Sequence, residues 1–178
     1  MSRVVIINGC GGSGKDEFVK QCRKHYPNTQ NYSTVDNVKL VAQRMGWHND
    51  KSERGRRFLS DLKELWDNYN HGATFSTFNA AKFYLEYMQD LELDTIIFIH
   101  CREPEKIDEL KQMFKDNCNI NAETLLVTNC RIKPIESNHS DRDVQNYKYD
   151  WYIENDGDIK ELSEKAENFV KKLDYQIL

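Results

Sequence analysis

The chain has 178 residues, 25 of them basic and 29 acidic, for a net charge of -4. That length suits a single domain spanning 1–178, and the acidic balance excludes a broad basic surface for nucleic acid. No apolar run approaches the roughly 20 residues of a membrane-spanning helix. The five scattered cysteines lack any CxxC pair, which predicts free thiols in a reducing cytoplasm with neither a disulfide frame nor a zinc site.

In chain order, Arg3 to Asn8 is apolar on both faces and predicts a buried strand. A glycine-rich turn follows, then a helix with Phe18, Val19, Cys22 and Tyr26 on one side. Asn31 to Val35 predicts a second, weaker strand. Val38, Val41, Ala42 and Met45 recur at helical spacing, with Gly46 placed to end that helix. Asp50-x-x-Glu53 has the form of a capping box with Asp50 as the cap. The helix after it is expected to bury Phe58, Leu59, Leu62, Leu65, Trp66 and Tyr69.

The spacing of Phe78, Ala81, Leu85 and Met88 predicts another helix from about Ser76. Thr95 to Ile99 is the strongest strand. Pro104 suits a first helical position, with Ile107, Leu110 and Phe114 facing inward. Thr124 to Thr128 and Asp150 to Ile153 are further strands, and Ile159, Leu162, Ala166, Phe169 and Leu173 mark the closing helix. The polar stretch 129–149 lacks periodicity and reads as a short lid. Strands alternating with helices predict a three-layer α/β fold with a mainly parallel sheet.

The informative segment is Gly9-Cys10-Gly11-Gly12-Ser13-Gly14-Lys15-Asp16, a G-x-x-x-x-G-K turn between a buried strand and a helix. That setting defines a phosphate-binding P-loop. Glycines let successive amides curl around an anion, and the helix aims its positive end at the same point. Lys15 adds a mobile full charge for the terminal phosphates. Asp16 stands where Ser or Thr is usual. Its carboxylate can hold Mg²⁺ directly or through water, or can simply favour the helix N-terminus.

With Asp16 after Lys15, the turn resembles that of the deoxynucleoside monophosphate kinase and animal-type phosphomevalonate kinase branch of the P-loop kinases. A second match is Tyr149-Asp150-Trp151-Tyr152-Ile153-Glu154-Asn155-Asp156-Gly157-Asp158, similar to the D-W-x-I-E-N-x-G-D segment of that branch. A looser one is Cys101-Arg102-Glu103; residues 35–94 match only in layout. The resemblance implies a five-stranded parallel sheet in order 2-3-1-4-5, flanked by helices. It also implies ATP-dependent transfer to a small phosphorylated acceptor, with ATP and Mg²⁺ as cofactors.

A kinase whose acceptor is itself a phosphate must hold two polyanions together, so it needs cations beyond Lys15. Arg102, directly after the central strand, is expected to take the acceptor phosphate. Lys39 and Arg44 on the helix after strand two, and Arg54, Arg56 and Arg57 at the start of the next, are further acceptor-side cations in a helical region of about 36–92. The expected lid supplies Arg131, Lys133 and Arg142, of which Arg131 is expected to neutralise the transferring phosphoryl. Catalysis would then rest on Lys15, Arg102 and Arg131.

There are departures. The central strand ends in His100, where the branch commonly carries an Asp for Mg²⁺. Asp36 or Glu103 can substitute, although Asp36 also suits a helix cap, and His100 reads best as a satisfied strand-end residue. A (deoxy)nucleoside monophosphate is the first acceptor class and phosphomevalonate the second. A nucleotide-binding regulatory module without efficient transfer is the competing class. No N-K-x-D base-reading motif supports a GTPase.

Overall fold

Alternation along one strand builds the molecule. In the computed structural model, which describes residues 1–131, 144 and 146–175, Val4 and Ile6 of strand β1 (Arg3–Asn8) face one hydrophobic cluster, while Val5 and Ile7 face the other. Successive side chains of a strand point to opposite faces, so a strand apolar throughout needs helices on both sides.

The remaining elements are α1 (Lys15–His25), β2 (Thr29–Ser33), α2 (Asp36–Arg44), α3 (Glu53–Asn70), α4 (Gly72–Asp90), β3 (Ile96–His100), α5 (Pro104–Cys118), β4 (Glu123–Thr128), β5 (Trp151–Glu154) and α6 (Ile159–Tyr175). The sheet order is β2-β3-β1-β4-β5, with every neighbouring pair parallel. The expected order 2-3-1-4-5 and three-layer architecture are what the structure has.

On one face of the sheet, Phe78, Ala81 and Leu85 of α4 and Ile107, Leu110 and Phe114 of α5 cover Val4, Ile6, Ile97 and Ile99. On the other, Phe18, Val19 and Cys22 of α1 and Leu162, Ala166, Phe169 and Leu173 of α6 cover Val5, Ile7, Phe98, Leu125 and Val127. Phe169 meets Phe18 edge-on at 5.6 Å and Trp151 at 5.3 Å between ring centroids, joining α6 to α1 and to the edge strand β5. All five cysteines are free. No helix among the described residues is long and apolar enough to cross a membrane.

Four local expectations need correction. β2 runs two residues earlier than the sequence suggests, because Thr29–Ser33 is the stretch that pairs with Ile96–His100; Thr34 instead turns away, its amide bonded to the His100 carbonyl at 3.1 Å. Asp36 does not cap α2 from outside. It is the first helical residue, and its carboxylate accepts the Ser33 amide at 2.8 Å.

The cap of α3 is Ser52, whose hydroxyl accepts the Gly55 amide at 3.2 Å, while Asp50 accepts the Ser52 amide at 2.8 Å. A carboxylate two residues ahead thus sets the serine. The largest correction concerns α3 itself. Leu65 and Tyr69 are exposed, and the buried positions are Gly55, Lys63 and Asp67. Phe58, Leu59, Leu62 and Trp66 are half-buried, and the most deeply buried side chains of this helix are the charged Lys63 and Asp67.

Candidate active site

β1, β3 and β4 deliver their C-terminal ends side by side, and the chain leaving β1 forms the loop. Two of its positions admit only glycine. Gly9 has φ 150°, and a Cβ there would lie 2.4 Å from the Val127 carbonyl oxygen and 2.6 Å from the Ser13 hydroxyl. Gly14 has φ 89°, and its Cβ would fall 2.0 Å from Nδ2 of Asn155. Gly12 also has positive φ, whereas a Cβ on Gly11 would meet open space. The Ser13 amide donates to the Cys10 carbonyl at 3.1 Å, which closes the loop as a turn.

Lys15 opens α1 and is only 8% exposed. Its ammonium reaches back along the loop and donates to the carbonyls of Gly9 at 3.0 Å and Cys10 at 3.2 Å. Asp16, next in line, carries a largely exposed carboxylate whose Oδ1 lies 3.6 Å from Nε2 of His100. His100 is buried at the end of β3, and Nε2 has no hydrogen-bond partner among the described residues. Burial pushes the imidazole down to about 4, against the upward pull of Asp16 and with Lys15 adding to the fall. The ring is therefore neutral at pH 7. The expectation of a satisfied strand-end histidine does not hold for that nitrogen.

Three residues that sequence reasoning did not place in the site, Asn8, Tyr149 and Asn155, hold the loop in place. Asn8 accepts the Gly9 amide at 2.7 Å, and its own amide group donates to the Arg102 carbonyl at 3.0 Å and the Tyr149 hydroxyl at 2.8 Å. The Tyr149 hydroxyl in turn donates a hydrogen bond to the carbonyl of Val144 at 2.9 Å. Asn155 donates to the Ser13 carbonyl at 2.9 Å. The second quoted motif thus closes on the first, and that motif was the available signal for Asn155. Its Asp150 accepts the amide and hydroxyl of Thr124 at 2.8 and 2.7 Å. Asp158 accepts the amides of Lys160 and Glu161, both at 2.9 Å, at the start of α6.

Arg102 lies two residues past the end of β3 and is half-buried, its carbonyl bonded to Asn8. Arg131 is exposed after β4, and its guanidinium donates to the carbonyl of Asp156. Lys39 pairs with Asp36 at 3.4 Å, and Arg57 with Asp61 at 3.8 Å on the solvent side of α3. Arg44 and Arg56 are exposed on α2 and α3. Arg54 and Arg57 line a shallow pocket of about 480 Å³ with Glu53, Phe58 and Asp61. Lys133 and Arg142 lie outside the described residues, as does most of the expected lid.

The ionic face of α3 closes on the same edge of the sheet. The buried Lys63 ammonium lies 3.0 Å from Asp67 and 3.4 Å from Glu103, the residue after Arg102. Asp67 also accepts the amide and hydroxyl of Thr74, at 2.9 and 3.3 Å. Burial alone would lower the Lys63 ammonium, but the Glu103 and Asp67 carboxylates outweigh it and hold it above its usual range. Burial likewise opposes the Asp67 carboxylate, and the Thr74 amide and Lys63 overcome it and hold Asp67 below the usual carboxylate range. Glu103 is thereby engaged with α3. A second cavity, about 940 Å³, opens at the opposite, N-terminal edge of the sheet beside Arg3, Lys111, Glu123, Asp150 and Trp151. Its charges pair across it, Lys111 with Asp150 at 3.8 Å and Arg3 with Glu123 at 4.0 Å.

Strand order, the loop after the first strand and the lysine that opens its helix together define the fold of the P-loop kinases. No family model matches the chain, and no curated protein matches it in sequence. Solved structures do share its fold. The tunicamycin resistance protein of Deinococcus radiodurans is similar at TM-score 0.58 and 11% identity, over 96% of this chain and 96% of that one. The APS kinase CysC of Mycobacterium tuberculosis, in complex with AMPPNP and APS, is similar at TM-score 0.57 and 10% identity, over 96% and 98%. A sugar kinase from Janibacter sp. is similar at TM-score 0.50 and 13% identity, over 96% and 95%.

Proposed function

We propose that this protein is a small-molecule kinase that transfers the γ-phosphoryl of ATP to a phosphate-bearing acceptor, a (deoxy)nucleoside monophosphate ahead of phosphomevalonate. The observation that carries the reading is the loop of Gly9 to Lys15. Its glycine-only backbone stands at the C-terminal edge of a parallel sheet, with the Lys15 ammonium folded onto the loop's own carbonyls. A lysine held there is a short swing from any polyphosphate the loop takes. The shared fold with an APS kinase in complex with AMPPNP and APS supports the same reading.

In this reading Gly9, Gly11, Gly12, Ser13 and Gly14 cradle the phosphates, and Lys15 exchanges the carbonyls of Gly9 and Cys10 for the terminal phosphate oxygens. Asp16 would hold Mg²⁺, which supplies charge neutralisation at those oxygens. Arg102 grips the acceptor phosphate, with Lys39, Arg44, Arg56 and Arg57 on the acceptor side. An acceptor oxygen attacks the γ-phosphorus in line, the bond to the β-bridging oxygen breaks, and ADP leaves. Arg131, released from the Asp156 carbonyl, neutralises the moving phosphoryl. Positioning and charge do the catalysis, with no covalent intermediate.

A regulatory module that binds nucleotide without efficient transfer is the second reading, favoured by His100 standing where a carboxylate is expected. A thermal-shift screen with Mg-ATP and a panel of phosphorylated acceptors, followed by a coupled assay of ADP release, decides between them. Turnover with one acceptor supports the kinase. Nucleotide binding with no turnover of any acceptor supports the module, and no nucleotide binding refutes both.

A further inference from the structure

His100 presents an unusual defect beside the loop. The residue is 8% exposed, ends the β3 strand, and leaves Nε2 without a partner among the described residues. A buried polar atom left unpaired costs roughly 1–3 kcal/mol, so such atoms call for a specific account. The nearest charged group is the Asp16 carboxylate at 3.6 Å. A phosphate oxygen is a poor occupant of that gap, because Asp16 repels it. A cation satisfies both groups at once: the carboxylate gains an opposite charge and, with the ring proton on Nδ1, the Nε2 lone pair gains an electron-pair acceptor.

The spacing suits one ion. Two donors each about 2.1 Å from an ion lie about 3.0 Å apart at a right angle and about 3.4 Å at the tetrahedral angle. The observed 3.6 Å is closed by a small rotation of Asp16, whose side chain is 78% exposed. Among the described residues, no group of three or more His, Cys, Asp or Glu stands ready to hold a metal. Two protein donors are too few for a resident site, so phosphate oxygens and water must complete the shell. Mn²⁺ takes oxygen ligands as Mg²⁺ does, but as a first-row transition ion it accepts an imidazole nitrogen more readily than Mg²⁺.

The geometry points to His100 as a direct ligand of the nucleotide-associated cation, paired with Asp16, and to a seat that favours Mn²⁺ over Mg²⁺. This rests on the kinase reading, since the nucleotide supplies the other ligands. His100 takes the place of the strand-end carboxylate with a softer donor, and the ion changes to match.

The test uses the full, metal-stripped chain with Mn²⁺ and AMPPNP. Pulsed electron paramagnetic resonance should show nitrogen modulation from a bound imidazole in the complex of the natural sequence and none in His100→Asn. Calorimetric titration of AMPPNP should give a preference for Mn²⁺ over Mg²⁺ that shrinks about tenfold or more in His100→Asn, the scale at which altered metal-site partners act. His100→Asp should turn the preference toward Mg²⁺; if a buried carboxylate prevents folding, the asparagine variant alone decides, its fold checked by near-ultraviolet circular dichroism. Tight nucleotide binding with no nitrogen modulation, or an equal metal preference in His100→Asn, overturns the assignment and leaves the kinase reading standing. Failure of AMPPNP to bind with either ion overturns both.

Discussion

Lys63→Met tests the ionic face of α3. The substitution keeps an unbranched chain of similar length and deletes the ammonium that lies 3.0 Å from Asp67 and 3.4 Å from Glu103. The Asp67 side chain is 4% exposed and that of Glu103 27%, so solvent cannot replace the lost charge at Asp67. Breaking a buried pair from one side costs about 3–5 kcal/mol. For a chain of this size each kcal/mol moves the melting temperature by about 2–4 °C, which places the expected fall at roughly 6–20 °C. The double variant Lys63→Met/Asp67→Asn should lose less than the sum of the single changes, by about 0.5–3 kcal/mol.

The deficit should be level across neutral pH. Asp67 is held below its usual range, so its contribution is complete above about 3.8 and lost as pH falls through the lower folded value. Lys63 is held above its range, so its contribution is complete below about 10.5 and lost as pH rises through the higher folded value. Differential scanning calorimetry at several pH values reads all of this. A Lys63→Met melting temperature within 2 °C of the parent at pH 7, an allowance smaller than about 1 kcal/mol, would show that the cluster does not hold α3 to the sheet.

Lys15→Ala should remove phosphoryl transfer, by about a thousandfold or more, while leaving the circular dichroism spectrum intact; full retained activity in the coupled assay speaks against the mechanism. Arg102→Ala should raise the acceptor KM well beyond any change in the KM for ATP, and an unchanged acceptor KM removes it from that role. Gly14→Ala should abolish nucleotide binding by calorimetry, since its Cβ meets Asn155 at 2.0 Å and φ is 89°; adding Asn155→Ala relieves the clash but not the backbone strain, so binding should return only in part. Without nucleotide, stability measured in urea should decline as pH falls from 6.5 toward about 4, because the unfolded His100 takes up a proton that the folded one refuses. His100→Asn should flatten that decline, and an unchanged slope contradicts the buried neutral imidazole.

What could be read from the chain was what is local and repetitive. The inner strands β1 and β3 run apolar on both faces and a seven-residue match with a lysine announces the loop, so the layers and the cradle followed, while the sheet order came with the family resemblance. The polarity of α3 did not follow. Phe58, Leu62, Leu65 and Tyr69 form a convincing apolar stripe, but Lys63 and Asp67 turn inward because Glu103, far along the chain, and Thr74 at the start of the next helix receive them. An i,i+4 Lys–Asp pair is ordinary on helix surfaces, and nothing nearby in sequence marks this one as buried. Asn8 and Tyr149 were missed for the same reason, since their bond joins residues 141 positions apart. At α3 the Asp50-x-x-Glu53 spacing pointed to Asp50 as the cap, but the Ser52 hydroxyl two residues on took that place and Asp50 holds the Ser52 amide instead.

The carboxamide of Asn8 has a consequence for motion. One small side chain ties the first amide of the phosphate loop, the peptide that carries Arg102 and the phenol that anchors Val144. Each of these belongs to a different crossing of the chain. A shift at any one is passed to the other two through bonds of 2.7 to 3.0 Å. The rim of the cleft is therefore one hydrogen-bonded unit, and in the proposed kinase a nucleotide that moved the loop would act on the Arg102 peptide through a single carboxamide.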